Sequence, residues 1–215
     1  MTFVPGRFQN TILGAAQHCE DFILVSIHNG VGAGIVSDGQ LLLGKHRPVG
    51  EIGHIQIDPF GQRCHCGSFG CLETVVSNQA IIAQTRELIQ RGHDTCLSQQ
   101  PLTIEDIYAA ALAQDTVATH IIQQAAKHLG QVLGMLVNVF NPEKILFSEK
   151  LYKVRRSCFH CLWHRFSAKH SRSFSGDLHL DQARFQHQDT IGGYALIKRA
   201  LHESELLRHM MQSSH

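Results

Sequence analysis

Gly50-Glu51-Ile52-Gly53-His54, followed after nine residues by Cys64-His65-Cys66-Gly67-Ser68-Phe69-Gly70-Cys71-Leu72-Glu73, is the stretch that decides how this chain reads. The spacing is His54-x9-Cys64-x-Cys66-x4-Cys71. Zn²⁺ prefers four tetrahedral ligands drawn from thiolates and imidazoles, and a Cys₃His set fills that shell. A filled shell leaves no position for an activated water, so the expected role of the metal is structural. Gly61, Gly67 and Gly70 let a short loop wrap round such an ion where bulkier residues resist positive φ. His65 is a competing donor, but its two neighbours are both ligands, so its side chain is expected to turn away.

The totals fit this reading. The 215 residues carry seven cysteines, an odd number, and clustered thiols without a paired framework read as metal ligands. Hydrophobic residues make up 43% and charged residues 17%, so a sizeable core is expected and disorder is not. A net charge of +1 gives no electrostatic footprint for nucleic acid or membrane. No apolar run reaches the roughly 20 residues of a membrane span, and Met1–Arg7 lacks the apolar core of a signal peptide. The expected compartment is the cytoplasm.

Outward from the cluster, Phe22-Ile23-Leu24-Val25-Ser26-Ile27 reads as a buried strand. Asn29–Gly34 reads as a glycine-rich turn, Ile35–Ser37 as a second strand, and Asp38-Gly39 as a hairpin turn into Gln40–Leu43. Ser77 is placed to cap a helix ending near Gly92, and Thr103-x-x-Asp106 to open another as a capping box. A longer helix spans about 116–140. Its later half is apolar nearly all round, which predicts a central position, and Asn141-Pro142 stops it before a strand at Lys144–Phe147. Leu178–Leu180 suggests a further strand, and about 190–211 a last helix. Strands, then helices, then strand and helix again predict an α/β or α+β architecture. Cys158-x2-Cys161 with His160 offers too few donors for a second zinc site and is read as structural.

The Gly50–His54 and Cys64–Glu73 motifs together resemble the zinc-loop signature of the ROK family (repressors, open reading frames, sugar kinases). The resemblance extends through Asn29–Ile35, Phe140–Ile145 and Ile191–Ala200, covering roughly residues 14–148 and 174–213. It implies an actin-like ATPase (ribonuclease H-like) α/β fold, mainly the C-terminal lobe with its zinc loop. Gly14–Asp21 and Gly50–Ile57 are most similar to the N-acetylglucosamine-responsive repressors, with the glucose-responsive ones second.

The resemblance also assigns roles. Glu51, His54 and Glu73 are implied to hydrogen-bond the hydroxyls of a sugar, His54 while also ligating zinc. Gly30, Gly32 and Gly34 are implied to form a phosphate-contacting turn through backbone N–H groups. The implied partners are a sugar phosphate effector, N-acetylglucosamine 6-phosphate, and further copies of the chain in a dimer or tetramer. DNA would be contacted only through a helix-turn-helix module that these residues do not include.

Three departures bear on activity. No Asp-x-Gly phosphate loop and no Asn-Asp pair carrying the kinase's general base precede Gly14, so the expected start is after the N-terminal lobe, with residues 1–13 unmatched. Phe147-Ser148-Glu149 stands where family kinases carry a glycine pair that admits the nucleotide. Residues 149–173 diverge from the pattern altogether. No catalytic residue is therefore assigned, and a repressor rather than a kinase is expected.

Overall fold

The computed structural model describes residues 19–45, 49–97, 101–147 and 179–182. The expected last helix, the divergent segment 149–173, the Cys158/Cys161 pair and residues 1–13 lie outside them.

Strand β1 (Phe22–Ile27) is buried at five of six positions, as its unbroken apolar run requires of a strand covered on both faces. It pairs antiparallel with β2 (Val31–Ser37), which turns through Asp38 and Gly39 into β3 (Gln40–Leu41). Both turn residues take positive φ, 49° and 68°, the two-residue hairpin that Asp-Gly favours. On its other side β1 pairs parallel with β4 (Lys144–Phe147), and β4 pairs parallel with β5 (His179–Gln182). The sheet order is β3-β2-β1-β4-β5.

A parallel pair needs a long crossover, and here helices supply it. They are α1 (Glu73–Val76), α2 (Asn78–Gln90), α3 (Ile104–Leu112) and α4 (Thr116–Phe140). The strand ends are tied locally: Glu143 Oε1 accepts from the Glu20 and Asp21 amides at 3.0 and 3.2 Å, fixing the entry to β1 beside β4.

The helix boundaries follow the expected chemistry. Ser77 Oγ accepts from the Ala80 amide at 3.2 Å, and Thr103 with Asp106 forms a reciprocal capping box. Asn141 ends α4 in the left-handed region at φ 44°. Asp115 caps α4 by accepting from the Ala118 amide at 2.9 Å, and the same carboxylate accepts from Cys96 N–H and Thr95 Oγ1–H, each at 2.8 Å. Burial opposes the charge, but those three donors together hold this carboxyl below the usual aspartate range. A lowered carboxylate adds stability above its unfolded pKa and loses it as pH falls through the folded value. An Asp115→Ala chain is expected to lose about 1–2 kcal/mol at pH 7, as cap removal does elsewhere. Its deficit against the parent should shrink in denaturant melts run progressively further below pH 4.

Helix α4 packs a stripe that includes Ile121, Ile122, Ala125, Leu129, Val132, Leu133 and Leu136 into the core, at helical spacing. The central position expected of its later half holds at Leu129, Val132, Leu133 and Leu136, but not round the whole helix. Met135 and Val139 stand 52% and 72% exposed, because the apolar composition there exceeds the one face that the described residues cover. The antiparallel meander, the α/β class and the strand at 144–147 are as read from sequence. The turn expected at 29–34 is shorter: strand β2 already begins at Val31.

Candidate functional site

The loop between β3 and α1 carries the candidate donors. Ile52–His54 forms one 3₁₀ turn, with the His54 amide donating to Glu51 O at 3.1 Å. The chain runs on through a bridge pairing Gln56 with Cys71 and another pairing Arg63 with Phe69. Gly67 and Gly70 take positive φ, 94° and 62°, as expected of the wrapping loop. Gly61 is small for a different reason: a Cβ there would stand 2.7 Å from the Gly70 Cα.

Folding gathers the four expected ligands. The donor atoms of His54, Cys64, Cys66 and Cys71 all lie within 4.8 Å of one another. Cys66 Sγ is 3.7 Å from Cys71 Sγ, and Cys64 Sγ is 3.7 Å from His54 Nδ1. A tetrahedron with zinc–sulfur bonds of about 2.3 Å and zinc–nitrogen bonds of about 2.0 Å has edges of about 3.8 Å (S···S) and 3.5 Å (S···N). The donor spacing therefore fits such an ion.

The thiols differ in character. Burial pushes the Cys71 thiol up to about 12, with the Cys66 and Cys64 sulfurs adding to the shift. The Ser68 backbone N–H holds Cys66 below the ordinary thiol value, helped by Cys64. A thiol that resists ionisation alone ionises when a metal takes up its charge. His54 turns Nδ1 toward Cys64 Sγ, which places Nε2 on the far side of its ring.

Glu73 opens α1, two residues after Cys71, and sits against the 3₁₀ turn. A Cβ on Gly53 would lie 3.2 Å from Glu73 Oε2, and one on Gly30 would lie 3.0 Å from it. The Val31 amide donates to that same oxygen at 3.2 Å. The fold thus brings Glu73 beside the turn bearing His54 and Glu51. Glu51 is exposed, and its side chain makes no cap hydrogen bond to the turn it opens.

The glycine stretch arrives differently from its expected form. Gly32 and Gly34 lie within β2, registered opposite Ser26 and Leu24. Two of the amides here are already engaged, Val31 by Glu73 and Ala33 by Gly50 O at 2.8 Å. Of the three glycines, only Gly30 stays in the turn, and a Cβ added there would meet Glu73 Oε2 at 3.0 Å.

His65, expected as a competing donor that turns away, carries a contact to Glu73 that its spacing did not predict. It stays out of the four-donor set and instead places Nδ1 3.0 Å from Glu73 Oε1. Its ring meets that of His54 edge-on, with centroids 5.2 Å apart. Its place between two cysteine ligands gave no sign of that contact, which depends on where α1 begins.

The model of the ROK family matches residues 7–200. The chain belongs to the ROK family. That match begins within the segment expected to be unmatched and runs across 149–173. The chain is 37% identical over 200 residues to the DNA-binding transcriptional dual regulator NagC of Escherichia coli, covering 93% of this chain and 49% of that protein. It is also 37% identical over 139 residues to a glucokinase of Halalkalibacterium halodurans, covering 62% of this chain and 42% of that one. The crystal structure of a ROK family transcriptional regulator, a homologue of the E. coli MLC protein, superposes with a TM-score of 0.74 at 44% identity. That alignment covers 90% of this chain and 49% of the other. The chain spans about half the length of the curated repressors it matches. The fold is accordingly the actin-like α/β type of the family, and these two transcriptional regulators align over 90% or more of this chain at 37% and 44% identity. Among the described residues no helix is long and apolar enough to cross a membrane.

Proposed function

We propose that this chain is the effector-binding and oligomerising part, residues 14–213, of a cytoplasmic, sugar-responsive repressor of amino-sugar genes. Its effector is N-acetylglucosamine 6-phosphate, and its loop is held by one structural zinc ion on His54, Cys64, Cys66 and Cys71. The observation that carries the reading is the seat of Glu73. Its carboxylate lies against the turn bearing Glu51 and His54, beside a donor cluster with the spacing of a zinc shell. Carboxylates accept from neighbouring sugar hydroxyls, and a metal that fixes the loop fixes where they aim. Glu51, His54 and Glu73 are the sugar contacts in this reading.

The dimer or tetramer would respond by population shift. Effector binds one arrangement more tightly than the other, and DNA contact runs through a helix-turn-helix module outside the described residues. A thermal-shift series with sugar 6-phosphates tests the sensor. A selective rise with N-acetylglucosamine 6-phosphate is the expected result, and a flat response across the series would sink it. A Glu73→Gln change should weaken that ligand about 10- to 100-fold in calorimetry, since a charged acceptor is lost.

The glucokinase similarity supports a second reading, a ROK sugar kinase. Coupled ADP release with glucose, N-acetylglucosamine and N-acetylmannosamine separates the two, with turnover favouring the kinase.

A further inference from the structure

His65 joins the metal loop to the carboxylate of the sugar site, and no role has been assigned to it so far. Its Nδ1 lies 3.0 Å from Glu73 Oε1 and 3.9 Å from Cys64 Sγ. Cys64, His65 and Glu73 hold their donor atoms within 4.8 Å of one another. Its side chain is 73% exposed, whereas that of Glu73 is 13% exposed. An exposed imidazole thus contacts a carboxylate that is mostly buried.

From this geometry we infer that His65 is a positioning residue for the effector: its Nδ1–H fixes the rotation of the Glu73 carboxylate. The inference rests on the proposed sugar site. A carboxylate on a single-bonded stem rotates unless both oxygens are held. The Val31 amide holds Oε2 at 3.2 Å, and His65 holds Oε1. Each carboxylate oxygen has two lone pairs, so these donors leave one on each oxygen for two adjacent hydroxyls. The carboxylate is then aimed before the sugar arrives, which lowers the ordering cost of binding. The same N–H also faces Cys64 Sγ, so the histidine is braced by the loop that the metal closes. Its exposure makes it replaceable without disturbing the core.

The test is calorimetric titration of N-acetylglucosamine 6-phosphate into the full chain and its His65→Ala and His65→Gln variants, with zinc content measured on each. His65→Ala is expected to bind about tenfold more weakly, the size of one lost hydrogen bond to a charged group. His65→Gln, whose amide N–H can reach the same oxygen, is expected to recover most of that loss. All three proteins should carry the same zinc and melt together. Unchanged or tighter binding by His65→Ala, no recovery with glutamine, or loss of zinc from either variant would overturn the role. Absence of binding by the unaltered chain would overturn the sugar site beneath it as well.

Discussion

A Cys71→Ser chain should fail to hold the proposed zinc ion and melt well below the parent. Cys71 is completely buried, and its sulfur lies 3.7 Å from Cys66 Sγ. Serine is a poor zinc ligand at neutral pH because its hydroxyl stays protonated, so three donors remain where a structural site needs four. The new hydroxyl is also left in a dry position, at about 1–3 kcal/mol for an unsatisfied buried polar group. The metal's own contribution to loop order goes with it. A combined loss of about 3 kcal/mol lowers the melting temperature of a chain this size by roughly 6–12 °C. Glu73, two residues on, loses its anchored approach, so sugar affinity should fall with the zinc. Metal content after gel filtration, read beside a thermal melt, checks both effects. Stoichiometric zinc in the variant would remove Cys71 from the shell. Cys96→Ser, at an exposed thiol distant in sequence from the loop, is the matched control and should keep its zinc.

What was legible in the sequence was what short-range chemistry decides. The run Phe22–Ile27, the Asp38-Gly39 turn, the Ser77 cap, the Thr103/Asp106 box and the Asn141 stop each depend on residues within a few positions. The four candidate metal donors belong with them as a cluster, because residue type and spacing carried the expectation that they would gather.

The rest depended on partners far along the chain. Gly32 and Gly34 look like turn residues locally, yet pairing with Ser26 and Leu24 draws them into β2. Helix α1 spans only Glu73–Val76, too short to show a period. Glu143 lies in the Phe140–Ile145 stretch, but its hold on amides more than 120 residues away exists only in the folded chain. Met135 and Val139 show the same limit from the other direction. Composition gives the width of an apolar face, whereas the packed neighbours decide how much of it is covered. The proposed sugar site divides along this line too: Glu51 and His54 come from one contiguous motif, while the Glu73 contacts to Val31 and His65 exist only in the folded chain.

Gly70→Ala should rival the cysteine change, and for a different reason. Gly70 sits at φ 62°, where an L side chain costs about 1–2 kcal/mol by itself. A Cβ there would also fall 1.5 Å from Asp58 O and 2.5 Å from its carbonyl carbon. Neither strand of the loop can easily yield. The Ile57 and Asp58 amides donate to Gly70 O at 2.8 and 3.2 Å, and the Gly70 amide donates to Gln62 O at 2.8 Å. Relieving the clash means breaking those bonds and moving Cys71, the next residue, away from the other donors. The expected outcome is a loss of several kcal/mol, judged from the strain together with about 1 kcal/mol for each bond surrendered, and weakened zinc retention. Gly67→Ala separates strain from clash. Gly67 sits at φ 94° with nothing within 4 Å of the added Cβ, so only the conformational penalty applies and the zinc should stay. Equal destabilisation in the two variants, by denaturant melts, would show that backbone conformation and not the close approach at Asp58 governs the loop. A much larger loss at Gly70, with zinc released there alone, would show that the closeness of these two backbone segments keeps Cys71 within reach of its partners.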